Sequence, residues 1–265
     1  MPSANTGSMI VKSIKVYQDH VTLSFVRKKE KLKISKEAYL STYIYEGKTL
    51  TKKELEKIKE IDALSALLNY ALSLLNKRRY SEKKLQDKLY KKEKNKQSVL
   101  AVIAHLKERD LLDDQAFMLE LIAYDDQRLF GQKKIIKHLK EQGIPESLIN
   151  KTHFSRSNEL KKAKGLIPKL EKKYSRYAFN NMKKHVYQAL LAQGFDYDVA
   201  LEAIELLKAP NLKEENKKLM SDYQKIKSRY ECKYEGYQLK QKIYAALINK
   251  GYKSSEIRKV LEDEL

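Results

Sequence analysis

Apolar residues recur along most of this chain at steps of three and four, the spacing that lines one face of a helix. The clearest instance is KKIIKHLKEQGI at residues 133–144, and its outline returns in MKKHVYQALLAQGF at 182–195 and LKQKIYAALINKGY at 239–252. The copies superpose on Gly143, Gly194 and Gly251, which lie 51 and 57 residues apart. Four residues before each glycine stands Leu139, Leu190 or Leu247, eight before stands Ile135, Val186 or Ile243, and one after stands Ile144, Phe195 or Tyr252. The pattern predicts a helix ending at a left-handed glycine, with the next apolar residue folded back on the last turn. A fainter copy begins at Ser81 in SEKKLQDKLYKKE, where Leu85 and Leu89 hold the apolar positions and Glu93 replaces the glycine.

A period of about fifty residues accommodates about three helices with short connections, and such units stack into arrays. The flanking text agrees, since SVLAVIAHLKE from Ser98, YDVALEAIELLK from Tyr197 and SSEIRKVLEDEL from Ser254 keep helical spacing. The expected fold class is therefore mainly α, with tandem three-helix repeats at 59–108, 109–156, 157–208 and 209–265 forming an elongated curved array. One stretch, KAPNLKEENKKLMSDYQKIKSRYECK at 208–233, finds no good internal counterpart.

Before residue 59 the period changes from helical to two. MIVKSIKVY sets Ile10, Lys12, Ile14 and Val16 against Val11, Ser13 and Lys15, and HVTLSFV alternates Val21, Leu23 and Phe25 with polar residues. Those are strand patterns. Gln18, Asp19 and His20 suit a turn, and KLKIS supplies a third short strand, so residues 9–58 are expected to hold a small β-hairpin or three-stranded sheet. A hairpin alone is marginal, and this one is expected to lean on KEAYLSTYIY or on the first repeat. TKKELEKI then opens a helix with a capping box, Thr51 paired with Glu54. The leading MPSANTGS, residues 1–8, reads as a disordered lead or an expression remnant.

Composition narrows the class. The chain has 265 residues, 42% of them hydrophobic, with only eight glycines and four prolines, which favours packed helix over loop or disorder. A single cysteine, Cys232, excludes a disulfide framework and a cysteine zinc site. No apolar run approaches the roughly 20 residues of a membrane-spanning helix, so a cytoplasmic protein with no membrane partner is expected.

Charge changes the picture more. Fifty-five Lys and Arg against 35 Asp and Glu leave a net +20, beyond the magnitude of about 2–8 that solubility asks for. Residues 77–96 hold ten basic and three acidic side chains and residues 156–184 ten and two, while the segment 110–128 between them is acidic. The implied partner is a polyanion or an acidic protein surface.

The motifs of catalysis are absent. There is no glycine-rich phosphate loop and no H-E-x-x-H, and the five histidines are scattered. Asp113 and Asp114 with Asp125 and Asp126 would be the place for a metal, but Asp113 stands where an N-cap is expected before DQAFMLELIAY. No cofactor, no metal and no enzymatic activity are expected. Tyr187 and Tyr244 sit inside the repeated phrase beside its apolar positions, where packing is the simpler role.

Three stretches together resemble the RecX regulatory proteins. ALSLLNKRRYSEKKLQDKL at 71–89 is similar to that family's first-repeat signature, a helix followed by a basic turn and a second helix. LLDDQAFMLELIAYDDQRLFGQKKIIKHLKEQGIPESLI at 111–149 resembles its second repeat, and LLAQGFDYDVALEAI at 190–204 its third. The strand-rich N-terminus and extra C-terminal unit resemble the longer members from Gram-positive bacteria. The resemblance implies a regulator that binds RecA filaments on DNA and lowers strand exchange, ATP hydrolysis and co-protease activity without chemistry of its own; single- or double-stranded DNA is an expected further partner, and the chain is expected to be a monomer. A non-specific nucleic-acid binder acting by masking DNA is the alternative. The candidate RecA- or DNA-binding residues are Lys77, Arg78, Arg79, Lys83, Lys84 and Lys88 in the first unit and Arg128, Lys133, Lys134 and Lys137 in the second. Arg78 and Arg79 rank first, because they match the basic turn and because arginine pairs with carboxylates or phosphates through two bonds.

Overall fold

The computed structural model describes residues 9–209 and 211–264, so the leading segment 1–8 lies outside the described residues. The elements run β1 (Met9–Val16), β2 (Val21–Phe25), β3 (Lys31–Ile34), α1 (Lys36–Ser41), β4 (Thr49–Leu50), α2 (Lys52–Leu75), α3 (Glu82–Lys92) and α4 (Lys96–Glu108). They continue with α5 (Asp114–Gln127), α6 (Gln132–Glu141), α7 (Glu146–Ile149), α8 (Arg156–Tyr174), α9 (Phe179–Ala192), α10 (Tyr197–Ile204), α11 (Leu212–Tyr230), α12 (Gly236–Asn249) and α13 (Ser254–Glu264). Two compact units result, one holding the chain up to Phe117 with Gln142–Ile144, the other Met118–Glu141 with Pro145 onward.

In the first unit the sheet is antiparallel and four-stranded, in the order β3-β2-β1-β4. Its fourth strand, two residues long and paired to Met9 and Ile10, is too short to leave a periodic signal. A bulge between Val11 and Ser13 shifts the register of β1 on β2. Because one extra residue flips every following side chain, Ile14 and Val16 share a face with Val11 instead of with Ile10, which is 45% exposed. The inner face, with Val11, Val21, Leu23, Phe25 and Ile34, packs on Ala38 of α1 and on Leu55 and Ile58 of α2. Helix α2 starts with the predicted capping box, Thr51 with Glu54. Its later turns bury Leu67 and Ala71 in a second core with Leu85, Leu89, Val99 and Leu106 of α3 and α4. One 24-residue helix thus serves both cores, and no linker separates strand region from helical group.

In the second unit the repeated phrase does what its spacing predicts. Ile135, Leu139, Val186, Leu190, Ile243 and Leu247 are fully buried, Gly194 and Gly251 follow with left-handed φ values of 94° and 93°, and Gly143, counted with the first unit, has a φ of 80°. Helices α8–α10 close around Ala163, Ile167, Val186, Leu190 and Phe195, and α11–α13 around Leu219, Tyr223, Ile243, Leu247 and Tyr252. Tyr187 packs against the former core and Tyr244 against the latter. The stretch without a sequence counterpart folds largely as α11, the opening helix of its group, as α8 opens the one before.

A joint recurs between successive groups. The first turn of an α-helix leaves N–H groups without partners, and here a carboxylate from the following group accepts one. Asp114 accepts from the Glu82 N–H of α3 at 2.8 Å, Glu159 from the Gln132 N–H of α6 at 2.8 Å, and Glu215 from the Phe179 N–H of α9 at 2.8 Å. The glycine turn of the following group supplies further acceptors. Ser81 Oγ donates to Gln142 O at 2.5 Å, Gly131 N–H to Gln193 O at 2.9 Å, and Asn181 Nδ2 to Asn249 O at 3.0 Å. A Cβ on Gly194 would lie 2.4 Å from Lys134 N, so this glycine serves a close approach as well as a turn.

Candidate functional site

The predicted cations fall into two settings. In the first unit Lys77, Arg78 and Arg79 follow the end of α2, and Lys83, Lys84 and Lys88 lie on α3, all exposed. Ser81 caps α3 by accepting from Lys84 N–H at 3.2 Å. The Arg78 guanidinium lies over the Tyr80 ring at 4.3 Å. Arg79 lines a cavity of about 780 Å³ together with Leu72, Tyr80, Asp110, Asp113 and Phe117. Two carboxylates on that wall make it a poor seat for an anion. The structure does not gather Lys83, Lys84 and Lys88 into it.

The second-unit candidates do converge. Arg128 follows α5, Lys133, Lys134 and Lys137 lie on α6, and all four line one groove of about 490 Å³ with Phe130, His138 and Glu141. Phe130 organises its floor, with Lys134 Nζ 3.8 Å and Arg128 Cζ 4.4 Å from its ring centroid. Such contacts contribute about 0.5–1 kcal/mol at exposed sites and hold the cations in place without neutralising them. Lys133 is more committed, being 2.8 Å from Asp196 and 4.8 Å from the Tyr197 ring centroid. The Asp196 hydrogen bond pushes the Lys133 ammonium above its ordinary range, so it stays charged. Lys137 reaches Glu141 only at 3.9 Å, with both side chains mostly exposed, a pairing worth little in water.

Buried charges hold the turn that carries Arg128 and Phe130. Lys162 of α8, 5% exposed, places its Nζ 2.6 Å from Asp126 Oδ1, 2.6 Å from Glu159 Oε1 and 2.8 Å from the Phe130 carbonyl. The other Glu159 oxygen is the one that accepts from Gln132 at the start of α6. Nearby, His138 Nδ1 lies 2.6 Å from Oδ2 of the buried Asp125.

Such contacts account for four of the six acids of the segment 110–128. Asp113 caps α5, accepting from the Gln115 and Ala116 N–H groups at 2.8 and 3.0 Å. Asp114 caps α3, Asp125 meets His138, and Asp126 meets Lys162. Among the described residues, no group of three or more His, Cys, Asp or Glu side chains is placed to hold a metal ion, and no helix is long and apolar enough to cross a membrane. Sequence reasoning missed Phe130, Glu159 and Lys162. An aromatic between Arg128 and Lys134 was a visible signal for the first, whereas the other two looked like ordinary members of a basic run.

Comparison with known proteins fits this arrangement. The sequence pattern described as RecX, third three-helix domain, matches residues 214–261, within α11–α13, the fourth helical group in chain order. Over 248 residues the chain is 31% identical to the regulatory protein RecX of Streptococcus pyogenes serotype M1, covering 89% of this chain and 92% of that protein. The chain belongs to the RecX family. A RecX of Streptococcus equi subsp. equi strain 4047 is 27% identical over 251 residues, covering 92% and 95% of the two chains. A crystal structure of regulatory protein RecX matches with a TM-score of 0.62 at 22% identity, over 74% of this chain and 98% of that one. The crystal structure of RecX from Lactobacillus salivarius matches at 0.51 and 24%, over 54% and 96%. At those identities the two structures support the fold, including its three-helix groups.

Proposed function

We propose that this RecX-family protein regulates recombination by binding RecA filaments on DNA, with the α6 groove as a principal contact. The observation that carries this reading is the convergence of Arg128, Lys133, Lys134 and Lys137 on one groove, with Arg128 and Lys134 lying over the Phe130 ring. These cations are pre-positioned on a helix and its preceding turn, and Arg128 and Lys134 are held by an aromatic face instead of a carboxylate. The groove can therefore take up carboxylates of a protein surface or phosphates without first breaking strong ion pairs. Lys77, Arg78, Arg79, Lys83, Lys84 and Lys88 supply further weak contacts whose sum is strong when several engage at once. The action is regulation by binding, with no reaction performed on RecA or DNA, in the cytoplasm where RecA works.

The test is DNA-dependent ATP hydrolysis by RecA from the same organism, at substoichiometric amounts of this protein. The intact chain is expected to lower it. Arg128→Glu with Lys134→Glu is expected to raise the half-inhibiting concentration about tenfold, equivalent to about 1.4 kcal/mol, with helical circular dichroism unchanged. No inhibition by the intact protein would refute the reading. Inhibition that disappears when DNA is in excess would favour masking of DNA instead.

A further inference from the structure

The outer face of the N-terminal sheet has no part in the proposed RecA contact. The bulge at Val11/Ser13 and the register of the three long strands decide which side chains it carries. Lys15 stands opposite Thr22, which stands opposite Lys33, and Ser13 opposite Ser24, which stands opposite Lys31. Directly paired residues share a face, and the Ser13 to Ser24 hydroxyl bond at 3.2 Å shows that these do. The face is therefore two rows of lysine and hydroxyl, opposite the buried row of Val21, Leu23 and Phe25. Lys15, Lys31 and Lys33 are exposed, and at the far end of the strands so are Arg27, Lys28 and Lys29.

At the β1–β2 turn the lysine rows meet an aromatic pair. Tyr17, 47% exposed, stacks on His20 with ring centroids 4.6 Å apart and planes 9° from parallel. The turn is closed by a Tyr17 N–H bond to His20 O at 2.8 Å, so the pair is held by backbone. The carboxylate in this turn, Asp19, is engaged by His20 at 2.6 Å, and its pKa is lowered chiefly by that bond, with Lys33 adding a smaller attraction.

We infer that this face binds single-stranded nucleic acid, its lysines and hydroxyls following the phosphates while a base stacks on the exposed ring of Tyr17. Lysine rows alone would suit any polyanion. The rigid aromatic platform at their end selects a strand whose bases are free to stack, because every base has a π-face and a duplex hides it. The inference is independent of whether RecA occupies the α6 groove, and its test contains no RecA.

The full chain is titrated with labelled single-stranded and duplex oligonucleotides across a salt series. Lys15→Gln with Lys33→Gln, on the solvent face, is expected to reduce the slope of log affinity against log salt by about 1.4 for the single strand, about 0.7 for each phosphate no longer neutralised. Tyr17→Ala is expected to weaken single-strand binding about fivefold or more while leaving duplex binding unchanged. An unchanged slope and affinity would overturn the inference, and an equal loss on duplex would overturn the choice of single strands. A measurement on the unaltered protein guards against misfolded variants: photo-crosslinking to a bromouracil oligonucleotide should label Tyr17. Crosslinks confined to residues 78–137 would overturn the assignment.

Discussion

Replacing Lys162 by methionine should be among the most damaging single changes in the second unit. The ammonium is 5% exposed and serves Asp126, Glu159 and the Phe130 carbonyl at 2.6–2.8 Å. Methionine keeps the volume of the stem and removes the charge. Asp126, about one-third exposed, can turn to water, but Glu159 at 6% side-chain exposure cannot. Breaking one side of a buried pair in this way costs about 3–5 kcal/mol, most of it the penalty of the orphaned charge. At about 2–4 °C per kcal/mol for domains of this size, the thermal midpoint should fall by about 6–20 °C.

Adding Glu159→Gln to Lys162→Met separates charge from hydrogen bonding. Glutamine can still accept from the Gln132 N–H but leaves no buried anion, so the double variant should recover at least about 1 kcal/mol over Lys162→Met. Equilibrium urea denaturation of the four proteins in the cycle measures this. A loss below about 1 kcal/mol for Lys162→Met, or no recovery in the double variant, would refute the claim that Glu159 depends on that cation.

Three further outcomes are expected. Gly194→Ala should destabilise the protein more than Gly236→Ala, because both glycines have positive φ but only Gly194 would drive a Cβ to 2.4 Å from a backbone nitrogen. Strain alone costs about 1–2 kcal/mol, so the difference in urea midpoint between the two variants isolates the joint. Leu139→Ala, at a fully buried position, should cost about 2–5 kcal/mol by the same measurement. Asp114 gives a pH dependence: burial, its largest influence, raises its pKa above the ordinary 3.8, against the lowering by the Glu82 N–H bond. The folded state thus binds this proton more tightly than the unfolded one. Its contribution is fully present below pH 3.8 and is lost as pH rises through the folded pKa. Relative to Asp114→Asn, the native protein should gain stability as the pH of urea titrations is lowered towards 3.8, and a parallel pair of curves would exclude it.

What the sequence disclosed and what it withheld divide along physical lines. Residues whose role is set by their own helix were legible. Leu139 and Gly143 repeat because a helical period and a left-handed stop leave few alternatives, and Thr51 with Glu54 is a local capping signal. Contacts that require two distant segments to meet were not legible. Glu159 and Lys162 sit in a basic run and read as solvated surface, yet α5 and α6 arrive to bury them. The strand face failed for a smaller reason, because one extra residue at the Val11/Ser13 bulge reverses which side of β1 is inside. The candidate site was half legible. Arg128, Lys133, Lys134 and Lys137 were singled out by charge and spacing, and they converge. Phe130, whose ring lies under Arg128 and Lys134, was not, since an aromatic beside a glycine has many uses.

The joint explains why the repeated phrase and the charged residues occupy the same helix without competing. Along α6, Ile135 and Leu139 face the core while Lys133, Lys134 and Lys137 face the groove. The start of that helix is fixed from outside itself, by Glu159 on the Gln132 N–H and by Gly194 O accepting from the Lys133 N–H at 3.0 Å. Groove geometry is therefore set by the following group as much as by α6. Glu159 is paired with the buried Lys162 and with none of the four groove cations, yet Glu159→Ala should on this argument weaken RecA inhibition by more than its effect on helical content suggests. Arg78→Glu in the first unit should leave α6 unaltered. If amide exchange at Gln132 and Lys133 is as slow in Glu159→Ala as in the native protein, the following group does not hold the helix, and the link between joint and groove fails.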